Sequence, residues 1–352
     1  MRENGFSRRP RLIIVTPTVK EAKRVPEGVR FGHMVDVLNS AGIAAEHALV
    51  DSVEALDEAI ARTKPDIAFC SYFRFKGGAY LRETLLGDGV AWIGSSTDVM
   101  ELALSKPLLK TRLRSYGIPT PDWQTVRKNA DGSIEGIELI EGMRNFPYIV
   151  KPANEGNSRG IDAGSIVRSA LELFSRSTLI AEEFGDVLIE RFVSGGEDSR
   201  EFTVAMIGNG PGAIVSAVEV RPTVPGTLLV TEEDKETQAT IVLPIDDARL
   251  KEKVERLARR VFTAAGARDY ARCDILRHEG KLYVIEMNGQ PMVPDRWFEA
   301  CASEAGLDAR QYLQAIVLAG IVGNAETGHA FIPIPREMAK AVPHGVYERL
   351  AR

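Results

Sequence analysis

The chain has 352 residues, of which 44% are hydrophobic and 26% charged, enough for two or three domains with buried cores. A formal net charge of −5 argues against a dedicated nucleic-acid or anionic-membrane binder, because such proteins concentrate basic charge. The early apolar run Leu12–Val15 is too short for a signal sequence and no apolar stretch reaches membrane-spanning length, so we expect a cytoplasmic protein. The cysteines, Cys70, Cys273 and Cys301, are far apart among apolar neighbours, which predicts buried free thiols.

Strand and helix patterns alternate between Arg11 and Gly94. The runs RLIIVTP, PDIAFCSY and VAWIG are typical of buried strands, and RFGHMVDVLNSAG and GAYLRETLLGDG are typical of helices. Alternation of this kind predicts a parallel sheet with helical crossovers. We therefore predict an N-terminal α/β domain over residues 1–100.

A short helix is predicted to follow, with Ser105 as its cap, Lys106 and Pro107 in its first turn, and Gly117 at its end. The pattern then changes to the strand-like runs FPYIVKPA, DVLIERFV, REFTVAMIG and AIVSAVEVR. Apolar residues at helical spacing predict a long amphipathic helix from about 247 to 265. This part of the chain is therefore expected to be α+β.

The segment ARCDILRHEGKLYVIEMNGQP predicts a β-hairpin. Strand residues of equal parity share a face, so Glu286 and Asn288 point the same way. If Glu279–Lys281 form the loop, Asp274 lies opposite Glu286 and Arg272 lies opposite Asn288. Oxygen ligands without His or Cys suit Mg²⁺. The alternative is an ordinary solvated polar face on an antiparallel hairpin.

The segment YIVKPANEGNSRGID places Lys151 at the end of an apolar strand, directly before a glycine-bearing loop. Such an arrangement can present a cation and backbone N–H groups to phosphates. The alternative is a surface turn with a lysine that extends into solvent.

The segment VLIERFVSGGEDSREFTV places Glu190 at a strand end, followed by Phe192 and Val193. A carboxylate and a free backbone carbonyl can bind the exocyclic amine of adenine, while apolar neighbours enclose the ring. A later glutamate, Glu201 or Glu197, is a candidate for binding ribose hydroxyls.

The order of these motifs, from about Ser95 to Gln290, resembles the ATP-grasp superfamily and, within it, the D-alanine:D-alanine ligase branch. The resemblance implies an α/β protein in which an N-terminal parallel domain precedes two α+β lobes that clamp the nucleotide. We place the lobes at residues 101–188 and 189–325, with a C-terminal tail at 326–352. The implied cofactors are ATP and two Mg²⁺ ions, with Mn²⁺ as an alternative metal.

The resemblance also implies roles for individual residues. The implied nucleotide contacts are Lys106, Lys151, Gly156, Asn157, Ser158, Glu190, Arg191, Phe192, Val193 and either Glu197 or Glu201. The implied metal ligands are Asp274, Glu286 and Asn288. The implied catalytic residues are Arg272, Lys151 and Ser158.

In such enzymes a carboxylate attacks the γ-phosphate to give an acyl phosphate and ADP, and an amine then attacks the activated carbonyl. This chain departs from the ligases in the stretch GTLLVTEEDKETQ, so closure over ATP is expected to differ. It departs further in the substrate pocket, where it has TPTVKEAKR, SYFRFKGGAYLRE and, after Asn288, GQPMVPDRWFEA. We therefore expect small-molecule carboxylate and amine substrates other than D-alanine, and Arg74, Lys76 and Arg296 suggest an additional anionic group.

Two other functions remain open from the sequence. The same fold supports phosphotransferases, and a nucleotide-binding regulatory protein without turnover is the third hypothesis. The complete set of metal ligands argues against the regulatory protein. No nucleic-acid or membrane partner is expected, and a homodimer is an option that the sequence does not decide.

Overall fold

The structure is a computed structural model that describes residues 8–18, 27–129, 134–136, 143, 145–156, 158–194, 198–223 and 240–351, without the side chains of residues 27–30 and 134. The described residues do not include Asn157 and Glu197, for which the sequence predicts nucleotide contacts, or the divergent segment GTLLVTEEDKETQ. The three cysteines are buried and unpaired, as predicted.

The first sheet is parallel, as the alternating pattern predicts, with strand order β2-β1-β3-β4. Its strands are β1 (Arg11–Thr16), β2 (Ala44–Leu49), β3 (Ile67–Cys70) and β4 (Ala91–Ile93). The helices between them are α1 (Glu27–Ser40), α2 (Val53–Thr63) and α3 (Leu81–Gly87). Parallel pairing brings the carboxyl ends of β1, β3 and β4 to one edge of the sheet.

Two helices connect this sheet to the rest of the chain. They are α4 (Thr97–Leu104) and α5 (Lys106–Ser115). Helix α5 begins at Lys106 with Pro107 in its first turn, as predicted, but Ser105 makes no capping hydrogen bond through its side chain. The backbone N–H of Lys106 donates instead to the carbonyl oxygen of Ala153, at 3.0 Å. The start of α5 is thereby fixed against the second sheet.

The second sheet has strand order β6-β5-β9-β7-β8, and its paired strands are antiparallel. Its strands are β5 (Trp123–Lys128), β6 (Ile134–Glu135), β7 (Tyr148–Pro152), β8 (Ile166–Val167) and β9 (Val187–Arg191). Helix α6 (Ala170–Phe184) packs on it through Leu173, Ile180 and Ala181.

The third sheet is also antiparallel, with strand order β12-β11-β10-β13-β14. Its strands are β10 (Arg200–Ile207), β11 (Ile214–Pro222), β12 (Thr240–Leu243), β13 (Tyr270–His278) and β14 (Lys281–Asn288). The predicted amphipathic helix is α7 (Ala248–Ala265), and Asp247 caps it by accepting from the N–H groups of Arg249 and Leu250. Helix α8 (Arg296–Glu304) follows the hairpin.

Helix α9 (Gln311–Glu326) joins the first sheet to the third. Its apolar residues face all directions, as expected for a helix enclosed by protein on every side. Gly320 meets β4, where a Cβ atom would lie 2.7 Å from Cγ1 of Ile93, and Asn324 Nδ2 donates to the Trp92 carbonyl at 2.8 Å. Despite this apolar character, the described helices include none with the length and hydropathy to cross a bilayer.

Replacing Gly320 with Ala is expected to lower the free energy of unfolding by about 1–3 kcal/mol, because the added methyl overlaps Ile93 in a close-packed contact. Gly345→Ala is the matched control, since a Cβ there meets nothing within 4 Å. Helical Ala is more favourable than Gly, so the control should keep or raise stability by up to about 1 kcal/mol. Chemical denaturation of both variants measures the difference; equal midpoints would contradict the packing assigned to α9.

The C-terminal segment consists largely of two short helices, α10 (Arg336–Ala341) and α11 (His344–Leu350). Met338 and Leu350 are buried, and Leu350 Cδ2 lies 2.4 Å from the position that a Cβ would take at Gly208. This segment thus packs against the turn between β10 and β11. The domain limits predicted after residues 100, 188 and 325 remain proposals; they fall inside α4, β9 and α9 respectively.

Candidate functional site

The turn of the β13–β14 hairpin is shorter than the sequence suggests. His278 pairs with Lys281, so only Glu279 and Gly280 form the turn. Both turn residues have positive φ, 50° and 73°, as the central pair of a type I′ turn requires. Lys281 therefore belongs to β14, and the prediction of a three-residue loop is wrong.

A β-bulge restores the register that the longer loop would have produced. Asp274 pairs with Glu286, whereas Ile275 pairs with Val284, which leaves Ile285 as an extra residue on β14. A shift of one residue turns every later side chain to the other face of a sheet. Without the bulge, Asp274 and Glu286 would point to opposite faces. The bulge is thus the local feature that brings the two carboxylates together.

The predicted pairing of Arg272 with Asn288 is also present, so both residues share a face with Asp274. Thr203 Oγ1 donates to Asp274 Oδ1 at 2.8 Å, and Arg272 Nε lies 3.4 Å from the same oxygen. On its other side, Arg272 Nη1 lies 3.7 Å from Asp295 Oδ2. Burial alone would lower the pKa of Arg272, but these carboxylates raise it above its ordinary value. Arg272 is therefore a permanent cation beside the carboxylates.

The end of β14 is joined to the first sheet. Asn288 Oδ1 accepts from the backbone N–H of Gln290 at 3.1 Å, and Gln290 Nε2 donates to the carbonyl oxygen of Cys70 at the end of β3. At Gly289 a Cβ would lie 3.0 Å from Met100 Sδ in α4. Backbone and side-chain contacts thus hold Asn288 near the carboxyl edge of the parallel sheet.

A second cluster contains buried lysines around one carboxylate. Lys110 Nζ lies 2.9 Å and Lys151 Nζ lies 3.3 Å from the same oxygen, Oε2, of Glu190. Lys106 Nζ donates to the backbone carbonyl of Glu155. The side chains of Lys106, Lys110, Lys151 and Glu190 are all buried. Lys110 has no role in the sequence analysis, although its position one turn after Lys106 places both on one face of α5.

Burial and charge act in opposite directions in this cluster. Burial lowers the pKa of Lys106 against the opposing charges of Glu286 and Glu190, and it lowers the pKa of Lys110 to about 8 against the opposing charge of Glu190. Burial would raise the pKa of Glu190, but Lys110 and Lys151 outweigh it and hold that pKa below the ordinary value. The cluster carries more positive than negative charge, which suits a polyanion.

The loop after β7 has an unusual backbone conformation. Ser158 has φ 60°, in the left-handed region that residues other than glycine seldom adopt. Hydrogen bonds close the loop on both sides of it, from Arg159 N to Gly156 O at 3.0 Å and from Ile161 N to Ser158 O at 2.9 Å. Backbone conformations of this kind cluster at ligand-binding sites.

A cleft between the second and third sheets brings the lysines, this loop and the hairpin together. Its walls are formed by Lys106, Ile149, Lys151, Ser158, Ile161, Glu190, Arg191, Phe192, Val193, Ser194, Glu201, Asp274, Leu276, Ile285 and Glu286. Three predicted residues within the described ranges, Gly156, Arg272 and Asn288, are not part of the wall. Segments that are distant in sequence therefore form one site.

Sequence reasoning found Phe192 and Val193 but missed the other apolar residues of this wall, Ile149, Ile161, Leu276 and Ile285. Ile149 and Leu276 have the same strand parity as Lys151 and Asp274, so their facing could have been predicted. Ile285 is the bulged residue, and nothing in the sequence marks it. The cleft is consequently apolar along one part and charged along another, as an amphiphilic ligand requires.

The hairpin supplies an incomplete metal shell. Within the described ranges, no group of three His, Cys, Asp or Glu side chains is placed to hold a metal. The facing set is two carboxylates, Asp274 and Glu286, with the amide oxygen of Asn288 beyond them. This donor chemistry fits Mg²⁺, which commonly takes one or two carboxylates and completes its shell with waters and phosphate oxygens.

Comparison with known proteins gives consistent results. Residues 113–318 match the family described as D-ala D-ala ligase C-terminus. The chain is 29% identical over 285 residues to a D-alanine–D-alanine ligase of Xanthomonas axonopodis pv. citri, covering 79% of this chain and 84% of that protein. It is 28% identical over 231 residues to a D-alanine–D-alanine ligase of Aquifex aeolicus, covering 65% and 73%.

A solved structure has the same fold. The D-alanine–D-alanine ligase from Bacillus anthracis, complexed with ATP, superposes with a TM-score of 0.72 at 23% sequence identity. The match covers 91% of this chain and 100% of the other. The predicted combination of a parallel α/β domain and two α+β lobes is therefore confirmed.

Proposed function

We infer the function from a family relationship: this chain belongs to the D-alanine–D-alanine ligase family of ATP-grasp enzymes. It is an ATP-dependent ligase that joins a carboxylate to an amine through an acyl phosphate, with release of ADP and phosphate. The observation that carries this conclusion is the shared cleft, in which buried lysines and the loop at Ser158 face the carboxylates of the hairpin.

The charged part of the cleft fits the triphosphate of ATP. Lys106 and Lys151 supply positive charge, and the loop at Ser158 adjoins Lys151. The apolar part fits adenine, with Phe192 and Val193 as walls, and Glu201 is the described candidate for the ribose hydroxyls. In a partly dry cleft each ammonium–phosphate attraction is stronger than in water.

Asp274, Glu286 and Asn288 would hold Mg²⁺, which, when bound, neutralises phosphate charge during phosphoryl transfer. Arg272 acts differently, because its guanidinium is fixed between Asp274 and Asp295 and remains charged. A fixed cation beside the reacting carbonyl stabilises the negative charge that develops when the amine attacks. These residues position the reactants, so the mechanism requires no covalent enzyme intermediate.

The substrates are small molecules, and we propose that they differ from D-alanine. The residues after Asn288 carry Asp295 within 3.7 Å of Arg272, so an acidic group lies at the reaction centre. Two of the three cations that suggest an extra anionic group on the substrate already have partners within the protein. Arg74 pairs with Glu101 at 3.2 Å, and Arg296 donates to the backbone carbonyl and hydroxyl of Thr240.

Replacing Thr203 with Val is expected to lower kcat/KM by about 10- to 100-fold and to raise the Mg²⁺ concentration needed for half-maximal rate, because residues that orient metal ligands have effects of this size. The change removes the hydroxyl that donates to Asp274 and keeps the shape of the side chain. Thr203→Ser retains the hydroxyl and serves as the control. Equal Mg²⁺ requirements in both variants would contradict this role.

The test of the proposed function is a substrate screen. Purified enzyme is supplied with ATP, Mg²⁺ and pairs drawn from D- and L-amino acids and small carboxylic acids, and ADP release is measured. Products are identified by mass. A product equal in mass to acid plus amine minus water supports the ligase, whereas a stable phosphorylated product identifies a phosphotransferase and contradicts it.

A further inference from the structure

Lys110 is a fully buried lysine that does not line the cleft. It lies one turn after Lys106 on α5, its relative exposure is 0%, and the described cleft wall does not include it. Keeping a lysine away from water is costly unless its charge is paired. Its contacts should therefore indicate why a cation is retained there.

Those contacts connect helix α5 to strand β9 and, through Thr120, to strand β14. Lys110 Nζ lies 2.9 Å from Glu190 Oε2 and donates to Thr120 Oγ1 at 2.6 Å. Thr120 Oγ1 in turn donates to the carbonyl oxygen of Val284 on β14, at 2.9 Å. The ammonium also lies 5.8 Å from the centroid of the Trp123 ring. Lys110 is thus fixed between the second and third sheets, behind the carboxylate of Glu190.

Two ammonium groups share one oxygen of that carboxylate, but they differ in position. Lys151, at 3.3 Å, also lines the cleft, so its charge is available to a bound ligand. Lys110 has no such access. If Lys151 turns its charge toward phosphate, Glu190 needs another counter-ion, because an uncompensated buried charge is strongly destabilising.

We propose that Lys110 is a positioning residue that holds the carboxylate of Glu190 in place and balances its charge, so that Lys151 is free to bind the nucleotide phosphates. This inference rests on the proposed nucleotide site. Without Lys110, Lys151 is the remaining partner of Glu190, so its ammonium must pair with both the carboxylate and the phosphates. Nucleotide affinity then falls although every residue of the cleft wall is intact.

The test is calorimetric titration of ATP into Lys110→Met, which removes the charge and keeps a long unbranched side chain. We expect ATP to bind at least about tenfold more weakly than to the wild-type protein, equivalent to about 1.4 kcal/mol. Lys253→Met removes an exposed lysine far from Glu190 in sequence and is the matched control, with unchanged affinity expected. In steady-state kinetics of Lys110→Met, the KM for ATP should be raised by a larger factor than kcat is lowered.

A rescue experiment separates charge balance from simple packing. In Lys110→Met/Glu190→Gln both buried charges are gone, Gln keeps a carbonyl acceptor, and Lys151 is released. The double variant should recover most of the lost ATP affinity; with Glu190→Gln also measured alone, the four affinities give the coupling energy between the two sites. A structural role for Lys110 predicts no recovery.

Normal ATP affinity in Lys110→Met, or no recovery in the double variant, would overturn the proposal. If the single variant fails to fold, recovery of folding and of ATP binding in the double variant supports the proposal, and failure to recover counts against it. Binding is measured without the acid and the amine. A negative substrate screen would therefore count against the ligase function and leave this test unaffected.

Discussion

Glu286→Gln is expected to lower kcat by at least about 100-fold while the protein remains folded, because the change removes a negative metal ligand and preserves shape. The expectation follows from the bulge that turns Glu286 to the face of Asp274. Turnover at saturating ATP over a series of Mg²⁺ concentrations measures the effect, and thermal unfolding checks the fold.

The hairpin itself offers a control for this experiment. Glu279 lies in the turn with an exposed side chain, and Glu279→Gln makes the same chemical change away from the cleft. This variant should retain wild-type turnover. A Glu286→Gln enzyme that turned over like Glu279→Gln would rule out Glu286 as a metal ligand.

Lys151→Met is expected to lower kcat/KM for ATP by about 100-fold or more, since fixed cations that meet developing phosphate charge have effects of this size. The protein should still fold, because Glu190 keeps the ammonium of Lys110 at 2.9 Å. Initial rates over a range of ATP concentrations give kcat/KM for ATP.

The exposed residue Lys340 in α10 supplies the control, and Lys340→Met should leave kcat/KM unchanged. A loss of stability shared by both variants would point to general charge effects. Wild-type kinetics in Lys151→Met would remove this lysine from the nucleotide site.

Much of the architecture follows from periodicity. Alternating strands and helices predict the parallel sheet, and apolar spacing predicts α7 within one residue of its observed limits. Strand parity predicts that Glu286 and Asn288 share a face, and the structure agrees. These features depend on local sequence patterns, so they can be predicted from a single sequence.

The remaining features depend on tertiary contacts. The extra residue Ile285 resembles its neighbours in LYVIEMN, so the correct pairing of Asp274 with Glu286 was predicted from a loop of the wrong length. Lys110 is polar and would be expected in solvent, and its burial arises from the approach of Glu190 and Thr120. Chain-distant partners of this kind leave no local pattern.

The most direct test of the acyl-phosphate ligase mechanism is an isotope transfer with the acid that the substrate screen identifies. The acid is labelled with ¹⁸O in its carboxylate and incubated with enzyme, ATP, Mg²⁺ and the amine, and the released phosphate is analysed by mass. An acyl-phosphate ligase transfers one ¹⁸O atom from the carboxylate to phosphate with each amide formed. Amide formation with unlabelled phosphate, or ADP release with the label retained in a stable phosphorylated acid, would contradict the account.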